Sequence, residues 1–190
     1  PTPVSSISIP SRCIASLSPR FDITVATSVL RASSPRDFIE IASIAISLGA
    51  SVPFFRSSEN SNDYATTADV ILEVINKYSE NVIIYDNICC CYPTAPFIST
   101  SRLIEGFELL NLDFVDSVFP ITSFDYTIWR SFKENDQGYL SFNWSEFEDT
   151  RSQDLPTAFH DAGQWYWIKR NSLLKYQKII TPYSKGLLLS

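Results

Sequence analysis

The stretch Asn81–Ile121, NVIIYDNICCCYPTAPFISTSRLIEGFELLNLDFVDSVFPI, holds the signals that decide the fold. Its first part, Asn81 to Cys91, is a nearly continuous apolar run, the pattern of a strand buried on both faces of a parallel sheet. From Ser99 to Leu110, residues Leu103, Ile104, Phe107 and Leu110 recur at helical spacing, and a second apolar run follows from Phe114 to Ile121. Strand, helix and strand in that order make a βαβ unit, whose crossover is long enough to bring the second strand back parallel to the first. The expectation is a three-layer α/β sandwich with a mainly parallel central sheet, in which residues 82–91 and 115–121 are parallel strands joined by a helix at about 100–110.

The segments upstream extend the alternation. Asp37 to Leu48 sets Phe38, Ile41, Ala45 and Leu48 on one helical face, with Gly49 where a C-terminal cap belongs. A further helix is predicted after Thr66-Thr67, with an apolar stripe of Val70, Ile71, Val74, Ile75 and Tyr78. In open α/β sheets ligands bind beyond the carboxyl ends of the strands, and Tyr92-Pro93-Thr94-Ala95-Pro96 follows such an end directly. The prolines stiffen that loop and leave Thr94 a hydroxyl and an N–H to offer; a rigid turn before a helix explains them equally well.

Composition bounds the function classes. With 190 residues, 45% hydrophobic and 19% charged, the chain suits one globular domain over 1–190 with a full core. A formal charge of −6 and the lack of a Lys/Arg stripe argue against a nucleic-acid partner, while leaving room for an anionic substrate held by local arginines. No apolar stretch reaches the roughly 18 to 20 residues that span a bilayer, and the serine-broken start has no signal-peptide core, so a cytoplasmic protein without a membrane partner is expected. Cys89, Cys90 and Cys91 are consecutive, which rules out C-x-x-C spacing; with Cys13 far away, they are expected as reduced thiols acting as small buried hydrophobes.

Site chemistry concentrates in Thr150–Trp167, TRSQDLPTAFHDAGQWYW. Eighteen residues hold the only histidine, His160, with Arg151, Asp154, Asp161, Gln153, Gln164 and three aromatics at the end of an apparent strand. Such a mixture fits a structured polar pocket; a solvated loop leading into a strand accounts for it as well.

This segment resembles the RSQDL…HDAGQFYW stretch of the CMP-sialic acid synthetase superfamily, and of its pseudaminic acid cytidylyltransferases in particular. Tyr85–Phe97, YDNICCCYPTAPF, is similar to the same family's YDxVCCLYPTAPF, and Leu48–Phe54 and Thr66–Val70 fit the intervening pattern in the right order. The resemblance implies a nucleotide-diphospho-sugar transferase-like, Rossmann-like fold. It also implies attack by the anomeric hydroxyl of a nine-carbon acidic sugar, pseudaminic or sialic acid in type, on the α-phosphorus of CTP, giving CMP-sugar and pyrophosphate with Mg²⁺. Its bacterial members commonly pair as homodimers. Thr94, Arg151, Gln153, His160, Asp161 and Gln164 then become sugar-binding candidates, with Arg151 suited to a bidentate grip on the carboxylate. His160 can donate to the sugar or cap the strand; Asp161 can orient His160 or bind hydroxyls; Asp154 can hold Arg151 from behind.

The chain departs from the family in its first 36 residues. Ile9–Asp22, IPSRCIASLSPRFD, stands where the family has a glycine-rich phosphate loop resembling IPARGGSKRIPRKN. Pro10, Arg12 and Arg20 keep the spacing and are nucleotide-binding candidates, whereas Cys13 and Ile14 replace the glycine pair and Ser16 the lysine. SSPRD resembles the family's VSTDD, which makes Asp37 a metal candidate, and the DIDT-type metal segment has no counterpart before Ser190. Two readings follow: a working cytidylyltransferase, or a truncated or decayed noncatalytic relative that keeps the fold and sugar binding. A hydrolase built on Ser152 and His160 is disfavoured, because no G-x-S-x-G elbow is present.

Overall fold

The computed structural model describes residues 35–47 and 51–189 apart from 63, 93 and 96. The candidates Pro10, Arg12 and Arg20, and Cys13, lie outside the described residues.

Helix α1 spans Pro35–Ser47 and α2 spans Thr67–Glu80. Thr66 caps α2 in a reciprocal box: its Oγ1 accepts from the Asp69 amide at 3.2 Å, and its own amide donates to Asp69 Oδ2 at 2.9 Å. Val70, Ile71, Val74 and Ile75 form the buried stripe expected of α2. Strand β1 is Asn87–Cys91, helix α3 Thr100–Leu110 and strand β2 Ser117–Ser123. A hairpin of β3 (Phe132–Glu134) and β4 (Leu140–Phe142) interrupts the way to β5 (Phe159–Asp161) and β6 (Trp165–Lys169), after which come α4 (Arg170–Tyr176) and β7 (Ser184–Leu188).

The expected strand at 82–91 begins five residues late. Val82 and Ile83 instead close α2, the Val82 amide donating to the Ser79 carbonyl at 2.9 Å and the Ile83 amide to the Tyr78 carbonyl at 3.0 Å. That is a Schellman cap with Val82, at φ +62°, in the left-handed position usually held by glycine. The apolar side chains of Val82 and Ile84 consequently face solvent.

The sheet also corrects the expectation of mainly parallel pairing. Antiparallel β6 lies between β1 and β2, with Cys89 opposite Trp167 and Val118 opposite Trp167 on its other side. Strands β1 and β2 do run in the same direction, and β7 adds in parallel to β2, but three of the four pairings are antiparallel. Continuous burial could not reveal this, because it reports helices covering both faces and says nothing of strand sense. Those helices are present. Ala68, Ile71 and Ile75 of α2 and Leu173 of α4 pack on Ile88, Cys90, Phe119, Tyr166 and Ile168. On the opposite face Leu110 of α3 meets Cys89, Val118, Trp165, Trp167 and Leu187. The cysteines thus divide between faces as their alternation requires; Cys89 and Cys90 are buried and free, and burial raises both thiols, Cys90 to about 12.

Strands β5 and β6 are one path broken at 162–164, and the break lies beside Pro120 of β2. Val118 pairs with β6 and Ile121 with β5. Pro120, between them, has no N–H to offer the partner and only accepts, through its carbonyl, from the Ala162 amide at 3.0 Å. The chain bulges there, beside the middle of β2 and just past the carboxyl end of β1.

Candidate functional site

That bulge carries Asp161, Gly163 and Gln164 of the polar segment. Gly163 adopts φ +62° and its amide donates to Asp161 Oδ1 at 2.7 Å, a short turn that a side chain at this position would strain. Asp161 Oδ2 accepts from the Tyr166 hydroxyl at 2.6 Å. Tyr166 is buried in β6, and burial followed by its bond to Asp161 drives the phenol well above its usual value, so it stays a donor.

The loop after β1 is tied to this turn. The Tyr92 amide donates to the Gln164 carbonyl at 2.8 Å, the Tyr92 and Tyr166 rings meet edge-on at 5.3 Å, and the Tyr92 hydroxyl shares a hydrogen bond with Thr67 Oγ1 at 2.7 Å. Thr94 follows Tyr92 in an exposed turn closed by the Ala95 amide on the Tyr92 carbonyl at 3.2 Å. The two dense sequence segments therefore meet at the carboxyl end of β1, where ligands of such sheets sit.

The remaining candidates divide. His160 is exposed on β5, its ring 4.8 Å from that of Phe124, and Nδ1 lies 3.0 Å from the Asp161 backbone carbonyl. The Asp161 carboxylate makes its hydrogen bonds to the Gly163 amide and the Tyr166 hydroxyl, and His160 meets the Asp161 backbone carbonyl instead. Arg151 Nε pairs with Asp154 Oδ2 at 2.7 Å across the 3-10 turn Ser152–Asp154, both side chains exposed. Gln153 stands exposed on that turn, and no hydrogen bond or ion pair among the described residues joins Arg151, Ser152 or Gln153 to the Asp161–Gln164 turn. Asp37 falls in the first turn of α1, and its side chain lies outside the described residues. Among the described residues no three His, Cys, Asp or Glu side chains gather as a metal site requires.

Tyr166, Tyr92 and Thr67 were not singled out by the sequence. The usable signal was the pair Asp161 and Tyr166 on either side of Gly163, with Tyr166 in a run that is apolar as far as Ile168: a buried phenol needs a partner, and Asp161 is the near acceptor.

No protein-family model matches the chain. A pseudaminic acid cytidylyltransferase of Campylobacter jejuni is 35% identical over 152 residues, which are 79% of this chain and 65% of the relative. The chain is similar over most of its length to proteins named pseudaminic acid cytidylyltransferase. It spans slightly less than two thirds of the Campylobacter relatives it matches. A Helicobacter pylori protein named pseudaminic acid cytidylyltransferase and UDP-2,4-diacetamido-2,4,6-trideoxy-beta-L-altropyranose hydrolase is 32% identical over 157 residues, 81% of this chain and 29% of that one. Among solved structures, a CMP:2-keto-3-deoxy-manno-octonic acid synthetase complexed with CTP superposes with a TM-score of 0.50 at 12% identity, covering 82% of this chain and 70% of its own. At that identity the likeness speaks to the fold alone, an α/β architecture shared by the two.

Proposed function

We propose that the chain is the cytidylyltransferase domain that activates a nine-carbon acidic sugar of the pseudaminic acid type with CTP, releasing pyrophosphate. The observation that carries the reading is the junction of the Tyr92–Thr94 loop with the Asp161–Gln164 turn, in a homologue of proteins named for that reaction. On this reading Arg151 grips the sugar carboxylate, His160 and the amide groups of Gln153 and Gln164 meet the sugar's polar groups, and the Thr94 hydroxyl closes the pocket from the β1 side. CTP would meet Pro10, Arg12 and Arg20. Homodimer formation and a cytoplasmic setting belong to the same proposal, the latter because CTP is a cytoplasmic metabolite; no described helix is long and apolar enough to cross a membrane. Mg²⁺ would accompany the triphosphate.

A second reading, a noncatalytic relative that still binds the sugar, is favoured by one feature, the absence of glycine and lysine between Cys13 and Asp22. Loss of one preorganised charge-stabilising group costs about 10²- to 10³-fold in rate. Incubation with CTP, Mg²⁺ and pseudaminic acid, with pyrophosphate followed over time, separates the two. Sugar-dependent release supports the enzyme. Calorimetric sugar binding without release supports the noncatalytic relative, and neither sugar binding nor release overturns both.

A further inference from the structure

We infer that Tyr166 is a positioning residue for the sugar acid, acting through Asp161 on the turn that presents His160 and Gln164; this rests on the proposed sugar site. Three observations converge. Both Asp161 oxygens are taken, one by the Tyr166 hydroxyl at 2.6 Å and one by the Gly163 amide at 2.7 Å, so the carboxylate ties the buried strand to the exposed turn. Tyr166 itself cannot shift, because its ring is buried between Cys90, Phe119 and Ile168 on the α2 side of the sheet and edge-on to Tyr92. The turn it holds is shared with the second segment through the Tyr92 amide on the Gln164 carbonyl.

The Asp161 carboxylate is fixed by two hydrogen bonds from its own chain, one from the buried strand and one from the exposed turn, so it sets where its neighbours stand. Without the Tyr166 hydroxyl its side chain gains rotamer freedom, the Gly163 amide loses a fixed acceptor, and His160 and Gln164 lose their common reference to the sheet. A misplacement of the order of 1 Å in a binding group is enough to cost about 10²-fold in activity.

The test uses the full chain and the variants Tyr166→Phe and Asp161→Asn, with amide hydrogen exchange at Gly163 and Gln164, melting temperature, and the KM for pseudaminic acid and for CTP. Tyr166→Phe should leave the fold intact, speed Gly163 exchange at least tenfold, and raise the sugar KM or Kd about tenfold while the CTP value stays within twofold. The double variant should be no worse than the poorer single one, as for residues acting as a unit. Unchanged Gly163 exchange in Tyr166→Phe overturns the inference whatever happens to binding. Faster exchange with unchanged sugar affinity overturns it as well, since the turn would then not serve the sugar. Should the wild type bind no sugar acid, the proposed function falls and with it the sugar role of Tyr166, while the exchange result still decides whether Tyr166 fixes the turn.

Discussion

Arg151 and Asp154 form an ion pair at 2.7 Å in which the arginine side chain is 72% and the aspartate 46% exposed. The geometry is that of a group held ready at the surface. Exposed pairs are worth about 0 to 1 kcal/mol, so this one contributes little to folding and mainly restricts where the guanidinium points.

Arg151→Ala should therefore leave the denaturation midpoint nearly unchanged while weakening binding of an acidic nine-carbon sugar by about 2 to 4 kcal/mol, the range for a lost charge-assisted hydrogen-bond pair. Asp154→Ala should cost less, because it frees the arginine without removing it. Calorimetric titration beside a urea melt checks both; a large stability loss with Arg151→Ala would mean the residue is structural.

Glu73 of α2 gathers the segment before it. Its Oε1 accepts from the Ser57 amide and lies 2.6 Å from Lys77 Nζ, and its Oε2 accepts from Asn60 Nδ2 at 2.6 Å and Ser57 Oγ at 3.0 Å. Burial pushes the carboxyl up, but the donors from Lys77, Asn60 and Ser57 outweigh it and hold it at about 2 against an ordinary 4.5. A depressed folded value means stability that is present above the unfolded value and lost as pH falls toward the folded one. The stability gap between wild type and Glu73→Gln should then shrink by about 1 to 3 kcal/mol between pH 4.5 and 2. Urea melts across that window test it, and a gap independent of pH would show that the tether is not ionic.

Val82 is the one β-branched residue at positive φ among the described positions, and it is exposed at the end of α2. Left-handed backbone costs about 1 to 2 kcal/mol for an ordinary L-residue, partly offset in glycine by its greater freedom when unfolded. Val82→Gly should raise stability by about 0.5 to 1 kcal/mol without touching activity. A destabilised variant would mean that the Schellman turn does not form.

What was legible in the chain follows from which interactions are local. Helices α2 and α3 could be read because Thr66, Ser99 and the stripes at Val70–Ile75 and Leu103–Leu110 lie within one or two turns of each other. The rule that loops gather at carboxyl strand ends placed the Thr94 loop past β1, but its meeting with the Asp161–Gln164 turn was not legible, since it depends on β6 running antiparallel to β1. The place of β6 was not legible. It depends on a return from the β3–β4 hairpin and on the break opposite Pro120, and the run from Trp165 to Ile168 looks the same whether it pairs parallel or antiparallel. Val82–Ile84 misled for the opposite reason, since three apolar residues imitate a strand while the backbone is still finishing a helix. The Tyr166–Asp161 bond escaped because an aromatic in a buried strand is read as core before its hydroxyl is counted.

Gly106 decides how closely α3 can approach the sheet. A Cβ at that position would lie 2.4 Å from Trp165 Cη2 and 2.7 Å from Cζ3, closer than carbon atoms can pack. Two effects oppose each other in Gly106→Ala. Helix propensity favours alanine in mid-helix by about 1 kcal/mol, whereas overpacking a tight core costs about 1 to 3 kcal/mol or more. The steric term should win, because Trp165 is fully buried and its neighbour Trp167 is pinned by its indole N–H to the Leu103 carbonyl at 2.9 Å and by the Phe107 ring at 5.0 Å. Helix α3 cannot retreat without breaking those contacts, the Trp165 indole has no space to move into in a fully buried site, and Trp165 directly adjoins Gln164 at the start of β6. Gly106→Ala should accordingly lower stability by about 1 to 2 kcal/mol net and blue- or red-shift tryptophan emission as the indole is displaced. Urea denaturation followed by fluorescence reads both, and a variant more stable than wild type would show that α3 stands farther from Trp165 than a Cβ at Gly106 in contact with the indole requires.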